Sequence, residues 1–362
     1  MEKKSAYKTY ISGLKGFACL MVMIGHYIGL YKYAEDFPVE SVGLDYFGKF
    51  LDSKIGFVID ETFWVVLFFV VSGYLVANSR ILNIKDAISK SFLRFLRLGL
   101  PILFAYLIIF LIYKFVGFHT AETVGIFECP FIQKPYSGTY SFLEVLKSPF
   151  DVLLLNNVSL NSPYWVLREM FITSILIYFL NWLKNKINNK NIFYGILFIA
   201  LISSMAISNV IFAGLFGMAL CILEYSDKKK ILSNKIFVLM IIVFSAALYF
   251  IPRPRISCVF FGALILLVPK LPIINNILSS KIATFVNKIS FGVYSFHWPI
   301  FCSIGMLLLV NTYKRVGLLS ASLVASIVSA LVTILISIIY HYCIEKHIYS
   351  LLKKLEKVWS RK

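Results

Sequence analysis

The chain has 362 residues, 59% of them hydrophobic and only 15% charged, with a formal net charge of +18. A soluble domain averages ~45–50% apolar and ~25% charged residues, so this composition excludes a globular domain on a single anchor and indicates a multi-pass membrane protein. The cations stand between apolar runs rather than on one folded face, which excludes nucleic acid as a partner and makes them topology signals. The six cysteines show neither CxxC nor zinc-ligand spacing, so no disulfide framework and no metal site is expected.

Taken in order, and with ~20 apolar residues as the template for a span, the chain predicts about ten transmembrane helices. The first covers residues 10–31. It is too long for a signal peptide and lacks a small-residue cleavage site, so it reads as a retained helix. It carries Lys15 near its start and His26 deep in its body. Their separation is ~16 Å along a helix, and the two lie within ~20° of one face. An imidazole at that depth is a candidate functional group; the alternative is a hydrogen bond to a neighbouring helix.

A second span ends near Ala77. A basic stretch containing Arg94 and Arg97 leads into a third, residues 98–117. Residues 118–162 form a long extracytoplasmic loop whose aromatics, prolines and SPFDVLLL run predict ordered, partly re-entrant or interfacial structure.

The fourth span, residues 163–183, opens with Ser162 as N-cap and Pro163 in the first turn. It holds Arg168 and Glu169, ~100° apart on the helix, which serve a site or pair with charges elsewhere. Residues 192–208 and 209–223 predict a tight hairpin, followed by spans at 236–251 and, shorter, 256–268. In the ninth, residues 289–310, Ser290, Tyr294 and His297 fall on one stripe, with His297 ~12 Å in from the inner side. Pro299 follows, which frees a backbone carbonyl. The tenth, residues 316–343, is long enough to tilt or project.

Loop charge orients the bundle. With the N-terminus inside, about 25 Lys and Arg fall on inner segments and about 10 on outer ones. The expectation is therefore an all-α polytopic bundle in the cell inner membrane, both termini cytoplasmic, forming one domain over residues 1–362 with no further domain after it.

Several motifs stand in a fixed order: GLKG with His26 (K-x10-H), FFVVSGYLV, FLRFLRLGLP (R-x2-R), YWVLREMF, ISFGVYSFHWPIF and IIYHYCIEKH. Together they resemble the acyltransferase type 3 family of integral membrane O-acyltransferases. Two places depart from the family pattern: WVLRE where many members have a WSLSVE-like motif, and Glu345, Lys346 and His347 in place of Glu-Arg-Pro.

The resemblance implies transfer of an acyl group, usually acetyl, from cytoplasmic acyl-CoA to a hydroxyl of a cell-envelope glycan or lipid-linked sugar. Acyl-CoA is a co-substrate, no metal is involved, and the lipid bilayer is the remaining partner. It maps the catalytic histidine onto His26 and donor binding onto Lys15, Arg94 and Arg97, cations that topology alone also explains. Glu169 takes the position of the family acid as a second catalytic residue. Arg168, Tyr294 and His297 are expected at the substrate, although an interhelical network would equally use His297. A transporter or flippase for an envelope glycan or its lipid carrier, and a membrane scaffold, are the competing readings. Oligomeric state is left open.

Overall fold

The computed structural model describes residues 9–29, 49, 53, 56–126, 136, 138–225, 238–243, 245 and 256–359, and no strand occurs among them. Helix α1 is Thr9–Gly29, α2 Glu61–Ala77 and α3 Ile84–Phe115. Next come α4, Phe142–Phe150, α5, Trp165–Lys186, α6, Lys190–Ile207, and α7, Asn209–Glu224. The second half holds α8, Ile256–Leu267, α9, Pro272–Leu278, α10, Lys281–Ile300, α11, Met306–Val316, α12, Leu318–Tyr340, and α13, Lys346–Trp359.

Six helical stretches among the described residues are long and apolar enough to cross a membrane. A seventh crossing is reached if the α8 and α9 segments, bent by 103°, count as one. Helices α2 and α7 are apolar but shorter. This is a multi-pass membrane protein; the expected span at 236–251 lies largely outside the described residues.

Three boundaries differ from expectation for physical reasons. The basic stretch before the third span is not a flank but the first turns of α3, since Lys and Arg are good helix formers and their long stems tolerate an interface. Helix α10 begins at Lys281, so His297 lies ~24 Å from its start rather than ~12 Å. Before α5, Ser162 does not cap: a 3₁₀ turn, Ser162–Tyr164, intervenes, with Asn161 at its N-cap position.

The last helical stretch, Leu318–Lys357, runs 40 residues, ~60 Å, twice the ~30 Å of a bilayer core, so it is long enough to tilt or project. The expected hairpin is also present, with Ser208 joining α6 to α7 and its hydroxyl accepting from the Ile211 amide at 3.4 Å.

Two compact units divide the chain. One takes the described residues of Met1–Ala18, Thr62–Arg94 and Glu169–Lys288; the other takes those of Cys19–Glu61, Phe95–Arg168 and Ile289–Lys362. In the first, Ile177, Phe193, Leu215 and Met218 build an apolar core from α5, α6 and α7.

In the second, α11 and α12 form an antiparallel pair turned at Gly317, whose φ of +80° favours glycine. Gly292 lets α10 approach α12, where an added Cβ would meet the Ser337 backbone at 2.9 Å. Helix α4 is closed by a capping box of Ser141 and Glu144. It lies along α3, with Phe142 near Phe110 and Phe150 near Phe95, ring centroids 6.1 and 5.2 Å apart. Those two α3 positions are ~22 Å apart by helical rise, so α4 lies beside a long stretch of that helix.

Candidate active site

Helices α1, α10 and α12 meet in the second unit around two histidines. His26, in the last turns of α1, is 9% exposed and His297 is 0% exposed. The rings lie 5.0 Å apart between centroids, tilted by 43°, with His297 Nε2 3.2 Å from His26 Nδ1. Each Nδ1 also faces the carbonyl one turn back on its own helix: Val22 O at 2.9 Å for His26 and Val293 O at 3.0 Å for His297. Trp298 closes the other side, its ring centroid 5.5 Å from that of His26.

The backbone carrying His297 is irregular, and its sequence says why. Pro299 has no N–H to offer the carbonyl four residues back, so the Ser295 oxygen loses its helical donor. Asn161 Nδ2 supplies one at 2.8 Å. The stretch Phe301–Gly305 then winds as a π turn, a feature that recurs at functional sites. Within it, the Cys302 carbonyl accepts from the His119 amide at 3.0 Å. The His297 carbonyl accepts from the Tyr27 hydroxyl at 3.0 Å, and that hydroxyl lies 3.2 Å from Thr333 Oγ1 on α12. Tyr27 is in turn stacked on Phe301, with centroids 4.5 Å apart.

Tyr294, one turn before His297, has its ring centroid 5.9 Å from that of His297. Its hydroxyl donates to the Pro163 carbonyl, and Tyr164 stacks on its face. The Asn161–Tyr164 turn is therefore fastened to α10 at Tyr294 and Ser295.

Of the residues singled out from sequence, the structure brings together His26, Tyr294 and His297. Arg168 and Arg97 belong to the same unit: Arg168 is half-buried in the first turn of α5, and Arg97 is exposed on α3, 3.5 Å from Glu356. Lys15, Arg94 and Glu169 belong to the other unit. Arg94 is half-buried and donates to Ser72 Oγ at 3.4 Å, Glu169 is half-buried beside Arg168, and Lys15 is half-buried on α1. An unbroken α1 preserves the ~16 Å rise from Lys15 to His26. Among the described residues, no three His, Cys, Asp or Glu side chains gather closely enough to hold a metal ion.

Asn161, Tyr27 and Thr333 were not anticipated. A signal for Asn161 existed: a proline inside a span leaves a carbonyl that some buried donor must meet. Tyr27 and Thr333 carried none, because each looks like an ordinary residue of an apolar helix.

A closed, hydrogen-bonded imidazole pair suits proton transfer in a dry environment. The family described as "Acyltransferase domain", type 3, matches residues 8–342. No curated protein and no solved structure matches the chain. The match runs through both histidine helices and nearly the whole length, and the chain belongs to the acyltransferase type 3 family.

Proposed function

We propose that the protein is a membrane O-acyltransferase that moves an acyl group such as acetyl from cytoplasmic acyl-CoA to a hydroxyl of a cell-envelope glycan or lipid-linked sugar. The observation that carries this reading is the buried contact of His26 with His297 in a chain of this family. His26 acts as general base. It takes the proton of the acceptor hydroxyl as that oxygen bonds to the thioester carbon and the carbonyl electron pair moves onto oxygen. Collapse of the tetrahedral species breaks the C–S bond, and the departing thiolate takes the proton from His26. No metal is required.

Lys15, Arg94 and Arg97 bind the phosphates of the donor, for which cationic forks are suited. Lys15 lies ~16 Å along α1 from His26, a distance that a long, flexible thioester arm can span. Glu169 and Arg168 engage the acceptor, and Tyr294 forms part of the wall beside the histidines. The apolar runs of the sequence support about ten spans, and loop charge supports both termini on the cytoplasmic side of the cell inner membrane.

The test is His26→Ala at matched protein level, followed by analysis of envelope glycan. Loss of the ester is expected. Unchanged acylation, with lipid-linked precursor accumulating inside the cell, would remove the enzyme reading in favour of transport.

A further inference from the structure

We infer that His297 is a positioning residue for His26: it accepts the His26 Nδ1 proton and thereby holds the lone pair of His26 on Nε2. This rests on His26 being the base.

The argument is a count of protons. A neutral imidazole has one N–H and one lone pair. A carbonyl oxygen only accepts, so a ring nitrogen at hydrogen-bond distance from one must carry hydrogen. His297 Nδ1 is 3.0 Å from Val293 O, which makes it Nδ1–H and leaves the lone pair on Nε2. His26 Nδ1 is 2.9 Å from Val22 O, which makes it Nδ1–H as well. The 3.2 Å contact is then His26 Nδ1–H shared between Val22 O and His297 Nε2.

With His26 neutral, the other assignments fail. With hydrogen on His297 Nε2 of a neutral ring, lone pairs would face each other at Val293. With hydrogen on both nitrogens of His297, a cation would be buried at 0% exposure and would force a lone pair of His26 against Val22 O. With His26 neutral, as a base must be before transfer, one arrangement satisfies all three contacts, and it directs the basic nitrogen of His26 away from His297.

The surroundings fit this role better than a substrate contact. The His297 ring is fully buried. Its backbone is fixed on both sides, by Asn161 at the Ser295 carbonyl and by Tyr27 at its own carbonyl. When His26 Nε2 gains a proton during transfer, the Nδ1–H bond to His297 becomes charge-assisted and strengthens. A carboxylate would do this more strongly; a neutral imidazole does it without placing a second ion in the membrane.

Two measurements on the full-length protein in bilayers test the inference. The first is ¹⁵N NMR of histidine-labelled protein, with His26→Asn and His297→Gln used to assign signals among the five histidines. Hydrogen on Nδ1 of both His26 and His297 is expected; hydrogen on Nε2 of either overturns the inference.

The second compares His297→Phe, which fills the space without an acceptor, with His297→Gln, which places an oxygen near the Nε2 position. His297→Phe should lower kcat roughly 10- to 100-fold with KM for donor and acceptor unchanged, and His297→Gln should restore most of it. A rise in KM at constant kcat, a glutamine variant as poor as the phenylalanine one, or a phenylalanine variant at wild-type rate each overturn the inference while leaving His26 as base. Should His297→Phe fail to fold, the NMR tautomers of the wild type still decide. Transfer that survives His26→Ala removes the base reading instead, whatever the tautomers.

Discussion

The histidine pair and Arg97 of α3 are both polar groups on membrane helices, yet they are held in opposite ways. His297 is fully buried, and its ring nitrogens and its backbone oxygen each have a named partner within 3.2 Å. Arg97 is 43% exposed at its side chain and faces Glu356 at 3.5 Å across solvent-accessible space. In a dry interior an unmet polar atom costs roughly 1–3 kcal/mol, so each must find one defined partner. At a wet surface an ion pair is worth ~0–1 kcal/mol and releases readily. The two regions suit two tasks: proton transfer needs fixed geometry, whereas a phosphate-bearing donor needs cations able to leave their present partners.

The sharpest way to break this comparison is to keep the imidazole and spoil its geometry. Val22 lies one turn before His26 on nearly the same face of α1. Combining His26→Ala with Val22→His moves the ring ~6 Å along the helix. Acyl transfer should fall roughly 10²- to 10⁴-fold, as far as in His26→Ala alone, read from single turnovers with labelled acyl-CoA. Activity within tenfold of wild type would mean that an imidazole anywhere in this helix suffices and that the fixed contact with His297 is incidental.

That contact also marks the limit of what sequence conveys. Apolar runs located α1, α2 and the α6–α7 hairpin to within a few residues, since each is delimited by charge or by the Ser208 cap. They placed the start of α3 too late, because hydropathy ends where Lys and Arg begin while the helix does not. His26 and His297 were each conspicuous alone as imidazoles within spans. Their meeting joins positions 271 residues apart, and periodicity within one helix contains no term for that. Asn161 was hidden for a related reason. Its partner is a carbonyl made available by a proline on another helix, so neither residue shows the contact by itself.

This pairing supplies the next test. Asn161→Ala leaves the Ser295 carbonyl buried without its side-chain donor and should destabilise the protein by about 1–3 kcal/mol in denaturant or thermal unfolding. Pro299→Ala introduces a backbone N–H that reaches the same carbonyl. In that background the cost of Asn161→Ala should shrink to well under ~1 kcal/mol, a coupling expected of groups that share one acceptor. Strict additivity would show that Asn161 acts through something other than Ser295.

At the two arginines of α3 the effects belong to binding. Arg94→Ala and Arg97→Ala should each raise KM for the acyl donor about tenfold, the worth of one charge-assisted hydrogen bond, with kcat unchanged. A fall in kcat at constant KM would move these arginines from the donor to the chemical step.

The smallest effect is expected at Glu356. Glu356→Gln removes the carboxylate facing Arg97, and because both side chains are more than a third exposed, stability should change by no more than ~0.5 kcal/mol. The same variant should leave KM for the donor unchanged or lower it slightly, since the guanidinium no longer has a competing carboxylate. Raising the salt should erase that difference by screening both interactions. A stability loss above ~1 kcal/mol would mean that the pair anchors α13 to α3. Arg97 would then be held as firmly as the histidines are, and a cation so held is poorly suited to exchanging its partner for a phosphate at each turnover.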